Sequence, residues 1–388
     1  MPIPPADILG IGAVSGYGWS MDDLWSGLLS GSTSAEAHVG LGGRFPDPCW
    51  LARIPEGGDP EAGTTRYARA VTAAADEAIA DALGRGWRPG ERVALLYATT
   101  GGDRERWRQR YLEPEPDNPR RRFVEQVWTT PAARVIERYQ FHGPSLVINA
   151  ACTSGLHALA IGQRLLATGD ATDVVVVSGD VGFDGEEIRA FASLKALVYD
   201  APPSEVCRPL RGGTRGFVVG EGVAALVLAP ARQPGTEGRI RLLGSALGND
   251  AYHPVSIEPS FEYLIRTMDT ALGHAEVTRE DVDFYVAHGT GTAQCDEADT
   301  AVVEHLGKQS VAYCFKAMLG HTMGTAPLLE TVITARAYSE GLLPATAAEA
   351  EAHPQLARGP MTHPGGVTAQ LGLGFGGNIT TAVYGDVD

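Results

Sequence analysis

The sequence predicts an α/β fold in which mostly parallel sheets are covered by helices on both faces. Three observations carry this expectation. Short apolar runs alternate with amphipathic helical stretches along the chain. The strand-like runs are apolar throughout, as in "DVVVVSGD" at 173–180, which marks strands buried on both sides. One helix–loop–strand passage also occurs twice. "VTAAADEAIADALGRGWRPGERVALLYATTGG" and "LIRTMDTALGHAEVTREDVDFYVAHGTG" run in the same order and both end in Thr-Gly. Two similar halves would account for 388 residues without a linker.

In chain order, "ERVALLYATT" reads as a buried strand and "SLVINA" as a second. "TSGLHALAIGQRLLATG" reads as an amphipathic helix closed by Gly169, and "DVVVVSGD" as a third strand. "GFVVGEGVAALVLA" reads as strand pieces around a glycine bend, and "RIRLLGSALG" and "DVDFYVAHG" as further strands. "SFEYLIRTMDTALGHA" puts Phe261, Leu264, Ile265, Met268 and Leu272 on one helical face. The stretch 101–123, "GGDRERWRQRYLEPEPDNPRRRF", reads as an excursion from the core, partly helical and ending in a proline-broken loop.

Composition excludes several function classes. The formal charge of −16 argues against a nucleic-acid binder, which would present a basic face. No apolar run reaches the ~18–20 residues that cross a membrane. The start "MPIPPADILGIGAVSG" has neither a basic n-region nor a small-residue cleavage site, so a cytoplasmic location is expected. The five cysteines, Cys49, Cys152, Cys207, Cys295 and Cys314, are widely spaced and form no CxxC pair. Neither a disulfide framework nor a structural metal site is expected.

Four segments carry chemistry. In "LVINAACTSGLHALAIGQRLL", Cys152 stands where an apolar run gives way to a helix. Free N–H groups and the dipole at a helix N-terminus favour a thiolate there, but a small buried cysteine would suit the same turn. In "YVAHGTGTAQCDEADT", His288 ends a strand beside the Thr290 and Thr292 hydroxyls. In "CFKAMLGHTMGTAPLLE", Lys316, His321 and Glu330 flank a small turn. In "LGLGFGGNIT", glycines surround Phe375 and allow close backbone approach. Each has an ordinary structural reading on its own.

Together, "NAACTSG", "HGTGT..C", "K..LGH..GTA" and "GLGFGGN" stand in the order found in β-ketoacyl synthases of the thiolase superfamily. The opening "ILGIGAVSGYGWSMDDLWSGLLSG" resembles that family's first strand and helix. "FHGPSLVINAACTSG", "FASLKAL" and "CRPLRGGTRGFVVGEGVAALVL" match as well. The resemblance runs from about residue 7 to about residue 385 by motif order. It looks closest to the discrete elongating synthases of fatty-acid and type II polyketide systems. It implies a thiolase-like fold of two α/β halves in five layers, αβαβα, with residues 1–238 carrying the nucleophile and 239–388 the two histidines.

Carried over residue by residue, the resemblance makes Cys152 the acyl acceptor. His288 and His321 would hold the malonyl thioester carbonyl and stabilise the enolate formed on loss of CO2. The N–H groups of Cys152 and Phe375 would form an oxyanion hole, and Phe375 would gate the cavity. Lys316 would orient the histidines and pair with Glu330. Thr290 and Thr292 would contact phosphopantetheine, which enters on the carrier protein, so no cofactor of the chain's own is implied. Departures from the family pattern exist. Leu373 replaces an aromatic, Asn378 stands one place early, Arg211 and Arg215 replace acids, and Asp299 replaces a glutamate. The first two bear on gating and chain specificity; none removes a catalytic group.

The implied partners are an acyl carrier protein and a second subunit, either another copy or a chain-length factor of the same fold. The resemblance places that interface partly around "DVVVVSGD", whose valines need cover on both faces. Arg120, Arg121 and Arg122 are docking candidates for the acidic carrier protein, and Arg66 and Arg69 weaker ones; a solvated charge run is the plain alternative. Two rival functions share the fold. A chain-length-factor subunit would lack the nucleophilic cysteine, whereas Cys152 is present. An acyltransferase would use the same cysteine without condensation.

Overall fold

A computed structural model describes residues 2–41, 48–112, 123–124, 126–344 and 351–387. Ten strands form the main sheet: β1 (Ala6–Ser15), β2 (Val93–Ala98), β3 (Ser145–Ile148), β4 (Asp173–Asp180), β5 (Gly222–Pro230), β6 (Ile240–Asn249), β7 (Val282–Val286), β8 (Val311–Tyr313), β9 (Val367–Gly374) and β10 (Asn378–Gly385). Across the sheet they lie in the order β8-β7-β9-β10-β6-β1-β5-β4-β2-β3. Split between β6 and β1, the two sides have the same plan. From the outer edge inward, each runs third, second, fourth, fifth, first strand of its own half.

Six long helices build the remaining layers: α1 (Arg66–Gly84), α2 (Thr130–Tyr139), α3 (Ser154–Thr168), α4 (Glu262–His274), α5 (Ala293–Leu306) and α6 (Ala326–Glu340). Alternation along the strands assigns them. In β4, Val175 and Val177 pack with Tyr67, Val71 and Ala78 of α1 and Val135 of α2. Val174 and Val176 pack with Leu156 and Leu159 of α3 and with Leu328 and Val332 of α6. In the second half, Leu264 and Met268 of α4 and Val302 and Leu306 of α5 cover Tyr285, Ala369 and Val383. The layers are therefore α1/α2, sheet, α3/α6, sheet, α4/α5. The face expected for "SFEYLIRTMDTALGHA" buries Leu264, Met268 and Leu272, while Phe261 is the N-cap in a left-handed conformation.

Two expectations need correction. The sheet is mixed, not mostly parallel. β2 pairs in parallel with β3 and β4, and β7 with β8 and β9, but β1, β5, β6 and β10 make antiparallel pairs. The fourth and fifth strands of each half run opposite ways, and apolar runs alone do not encode direction. The valines of β4 also need no second subunit, because β4 is the third strand from its edge and both faces are covered by the chain's own helices. Each fully buried valine contributes ~1.5–3 kcal/mol of transfer free energy. The open edge is β3, whose Leu146 and Val147 are 41% and 36% exposed. Among the described residues, no helix is long and apolar enough to cross a membrane. The excursion after β2 begins as the helix Arg104–Leu112.

Close packing explains the glycines of β1. A β-carbon at Gly10 or Gly12 would fall 2.1 Å from the Ala78 carbonyl oxygen or 2.2 Å from that of Ala74, so α1 lies directly on the strand backbone. The junction of the halves is short. β1 and β6 pair only over Ala6–Ile8 and Ile240–Leu242. At its centre Asp7 lies opposite Arg241, and both are buried. Arg241 donates from Nε to Asp7 Oδ1 at 2.7 Å and from Nη2 to Oδ2 at 3.2 Å. It also donates to the Val387 carbonyl at 2.7 Å. Breaking such a pair strands a buried charge. Asp7→Ala is expected to cost about 3–5 kcal/mol in urea denaturation, and the Asp7→Ala/Arg241→Met pair less than the single change. A loss below about 1 kcal/mol for Asp7→Ala would mean that other contacts hold the junction.

Candidate active site

The repeated topology brings four chain turns to one place. Cys152 follows β3, the third strand of the first half. Lys316 and His321 follow β8, the third strand of the second. His288 follows β7, and Phe375 sits in the tight turn between β9 and β10. Cys152, His288, Thr290, Thr292, His321 and Phe375 all line one cavity of about 310 Å3.

The cysteine turn is locally enforced. Ala151 is left-handed, with φ of 51°, an uncommon conformation for a residue with a β-carbon. The strain is held by polar contacts within the turn. Ser154 Oγ accepts the Ala150 N–H at 2.9 Å and donates to the Ala151 carbonyl at 2.6 Å, and Asn149 Oδ1 accepts the Ala151 N–H at 3.1 Å. Helix α3 starts directly behind. The β9–β10 turn packs against the same turn: a β-carbon at Gly374 would stand 2.5 Å from the Ala150 carbonyl oxygen and 3.3 Å from the Cys152 nitrogen. Phe375, next in the chain, is 40% exposed at the cavity. Burial pushes the Cys152 thiol up to about 12, with Asp180 adding to the rise and Lys316 opposing it. At neutral pH the resting group is therefore the thiol. The stabilised thiolate allowed by the helix N-terminus is outweighed by loss of water.

Both histidines are buried. Their ring centroids are 6.0 Å apart and the planes cross at 88°. The His288 Nδ1 accepts the Leu373 N–H at 3.3 Å, which leaves its Nε2 as the protonated nitrogen. The His321 ring meets the edge of Phe217 at 4.8 Å, and its backbone N–H donates to the Val218 carbonyl at 2.7 Å. Among the described residues, the His321 Nδ1 meets no hydrogen-bonding partner. Burial holds both imidazoles well below the ordinary histidine range, and the Lys316 charge lowers them further.

Lys316 begins a single helical turn, Lys316–Leu319, and its ammonium donates to Glu330 Oε1 of α6 at 2.6 Å. Both side chains are buried. Burial pushes Glu330 up to about 7 against the pull of Lys316. The Thr290 and Thr292 hydroxyls lie 3.3 Å apart, and Thr292 also caps α5 through the Cys295 N–H. Among the described residues, no group of three His, Cys, Asp or Glu side chains could hold a metal.

The arginines fare differently. Arg120, Arg121 and Arg122 lie outside the described residues. Arg66 is not the surface charge expected of a docking residue. Its side chain is 6% exposed and its guanidinium contacts Glu221 at 3.1 Å, Glu105 at 3.1 Å and the Ile54 carbonyl at 2.7 Å. It ties α1 to neighbouring loops. Arg69 is largely buried and lies 3.6 Å from Glu56. A first-turn position on a helix shows in sequence; the acids that claim it, buried Glu221 and part-buried Glu105, come from distant segments.

The sequence marks Asp299 as a replacement for glutamate and Leu373 as a replacement for an aromatic, and does not show that Asp299, Leu373 or Phe217 meets a histidine. Asp299 is buried in α5 and accepts N–H groups from His288 and Gly289 at 2.9 and 2.8 Å. The "RGFVVGEG" match contained Phe217, but its edge contact with His321 depends on pairing across the fold.

Comparison with known proteins agrees with this arrangement. Two family models match, "Beta-ketoacyl synthase, N-terminal domain" over residues 55–233 and "Beta-ketoacyl synthase, C-terminal domain" over residues 240–349. A putative polyketide beta-ketoacyl synthase 1 of Streptomyces cyaneus is 30% identical over 370 residues, covering 88% of this chain and 87% of the relative. A 3-oxoacyl-[acyl-carrier-protein] synthase 2 of Rhizobium meliloti is 30% identical over 373 residues, 87% of each. Among solved structures, a type II polyketide ketosynthase in complex with its acyl-carrier protein superposes with a TM-score of 0.87 at 22% identity, covering all of both chains. The ishigamide ketosynthase/chain length factor gives 0.85 at 22% identity, covering 98% of this chain and 99% of the other. With the five layers and the shared cavity, these matches establish that the chain belongs to the beta-ketoacyl synthase family.

Proposed function

We propose that the chain condenses a Cys152-bound acyl group with a malonyl group on an acyl carrier protein, releasing CO2 and giving a 3-oxoacyl thioester for fatty-acid or polyketide synthesis. The observation that carries this reading is the convergence of Cys152 with two imidazoles held neutral by burial in one cavity. The Cys152 sulfur attacks the incoming thioester carbonyl, and its proton leaves with the carrier's thiol. The N–H groups of Cys152 and Phe375 stabilise the oxyanion. A malonyl thioester then binds with its carbonyl toward His288 and His321, and Thr290 and Thr292 meet the pantetheine arm. As the carboxylate departs as CO2, its bonding electrons form an enolate whose oxygen accepts imidazole N–H donors. Neutral imidazole suits this role, because it donates without being titrated away. The enolate carbon attacks the Cys152 thioester, the carbon–sulfur bond breaks, and the released thiolate takes a proton from water. Lys316, paired with Glu330, orients the histidines, and Phe375 gates entry.

On this reading the chain divides into a nucleophile-bearing part, 1–238, and a histidine-bearing part, 239–388, and works in the cytoplasm. The exposed apolar edge β3 supports a dimer, with a second copy or with a chain-length factor. A purely non-catalytic partner role is disfavoured by the presence of Cys152, His288, Lys316 and His321.

Intact-mass analysis with acyl and malonyl carrier proteins tests the chemistry. Cys152→Ala should show no acyl mass gain. His288→Ala and His321→Ala should still acylate at Cys152, while CO2 release falls about 10²–10³-fold, the usual loss for one oxyanion donor. Acylation of the Cys152→Ala protein elsewhere, or normal CO2 release without either histidine, would contradict the assignment. Carrier docking is tested separately. Reversing Arg120, Arg121 and Arg122 to Glu should lower turnover of carrier-bound substrate and flatten its salt dependence. Turnover of a free small-molecule thioester should be nearly unchanged. Equal losses on both substrates would mean that the stretch supports the fold or the cavity instead.

A further inference from the structure

We infer that Cys295 is a second reactive thiol of the cavity, a site at which a small uncharged disulfide forms a mixed disulfide that closes the path of the pantetheine arm; this rests on the role proposed above for Thr290 and Thr292. Among the described residues, two cysteines line the cavity of about 310 Å3, Cys152 and Cys295. Both are half-buried, whereas Cys49, Cys207 and Cys314 are buried and stand outside that lining. The proposed condensation uses Cys152 and gives Cys295 no part.

The surroundings of Cys295 favour attack by its sulfur. It is the third residue of α5, where free N–H groups and the helix dipole favour negative charge. The Thr290 and Thr292 hydroxyls both hydrogen-bond to its side chain, and Thr292 Oγ1 also accepts its backbone N–H at 3.4 Å. The two hydroxyls work against burial and the nearby Asp299 and Asp296 carboxylates, which together push the thiol up to about 11. For Cys152, burial and Asp180 push the thiol further, to about 12, against Lys316. The thiolate is the nucleophile in disulfide exchange, so Cys295 is the better placed of the two.

The lining sets what can react there. It includes Phe191, Phe217, Leu264, Met323 and Leu373, so an ionised reagent loses more solvation on entry than a neutral one. His321 lines the same cavity and is 1% exposed, and its Nδ1 meets no hydrogen-bonding partner among the described residues. A hydroxyl or amide on the reagent would supply one. The class is therefore a small uncharged disulfide with a hydroxyl or amide tail. The Cys295 thiolate attacks one of its sulfurs, a new S–S bond forms as the old one breaks, and the departing thiolate takes up the proton that Cys295 gave away. Cys295 is oxidised, and the other half of the reagent is reduced to a thiol. The group left on Cys295 stands beside Thr290 and Thr292, on the pantetheine path, so acyl transfer to Cys152 stops until a thiol reductant removes it.

Bis(2-hydroxyethyl) disulfide is the probe, read by peptide mass mapping and by acyl transfer from an acyl carrier protein. The Cys152→Ala protein should take up one hydroxyethylthio group, on Cys295. The wild-type enzyme should lose acylation of Cys152 and regain it with a thiol reductant. Cys295→Ala keeps the backbone N–H that Thr292 caps; it should acylate like wild type and lose that activity in the probe at least about threefold more slowly. The factor is an about tenfold larger thiolate fraction for a thiol about one unit lower, reduced by its weaker intrinsic nucleophilicity. Should Cys295→Ala not fold, Cys295→Ser takes its place. Label on Cys49, Cys207 or Cys314 instead of Cys295, or equal rates of inactivation with and without Cys295, would overturn the inference. So would undiminished acylation by an enzyme carrying the label on Cys295. A wild-type enzyme that never acylates, with or without the probe, would instead defeat the function proposed above, and the mass map of Cys295 alone would then decide whether it is the reactive thiol.

Discussion

The site depends on one buried ion pair. Lys316 and Glu330 meet at 2.6 Å inside the fold, each almost without solvent. Burying two ions costs several kcal/mol apiece, and mutual attraction offsets this only in good geometry. The pair is therefore weak evidence for stability and better understood through its field. A fixed ammonium close to two imidazoles opposes their protonation, and burial acts in the same direction. The same charge works against the burial that raises the Cys152 thiol, though it does not prevail. Three titratable groups are thus held neutral in one cavity. On the proposed function, an incoming malonyl carboxylate brings in a negative charge, and its departure as CO2 leaves that charge on the enolate oxygen, where neutral imidazole N–H groups can donate to it.

The fold delivers these groups by repetition. Each half uses the same strand order, and in each the third strand runs into a turn at the cavity, Cys152 after β3 and Lys316 with His321 after β8. The central helices α3 and α6 leave from these turns or just beyond them and pack against each other. A β-carbon at Gly155 would stand 2.7 Å from the Leu328 β-carbon. This contact brings the cavity-lining turns of the two halves together, so the cavity follows from the packing of α3 on α6 as much as from the motifs.

Much of this was legible in the chain. The echo of helix, loop and Thr-Gly-ended strand reports the repeat, because both copies must bury the same faces. The Cys152, His288, Lys316 and His321 turns show because glycine and small residues must accompany any close backbone approach. Other features were hidden for physical reasons. Strand direction is not written in an apolar run, so the antiparallel pairs at the junction were missed. Arg66 looks like a solvated charge until Glu221, 155 residues away in sequence, claims it. The valines of β4 suggested a face covered by a second subunit, but the chain's own helices cover both faces. In the sequence Asp299 is only a replacement for glutamate, and its hold on the His288 N–H appears only when α5 is folded against β7.

The central claim is that burial and the Lys316 charge keep both cavity histidines neutral, with His288 protonated on Nε2. Nitrogen-15 NMR of histidine-labelled protein, with His288 and His321 assigned by single substitution, tests it most directly across pH 5 to 8. The account predicts that neither ring takes up a second proton in this range, and that His288 keeps the chemical shifts of the Nε2–H tautomer throughout. Titration of either ring with a midpoint near the ordinary value of about 6.5 would contradict it.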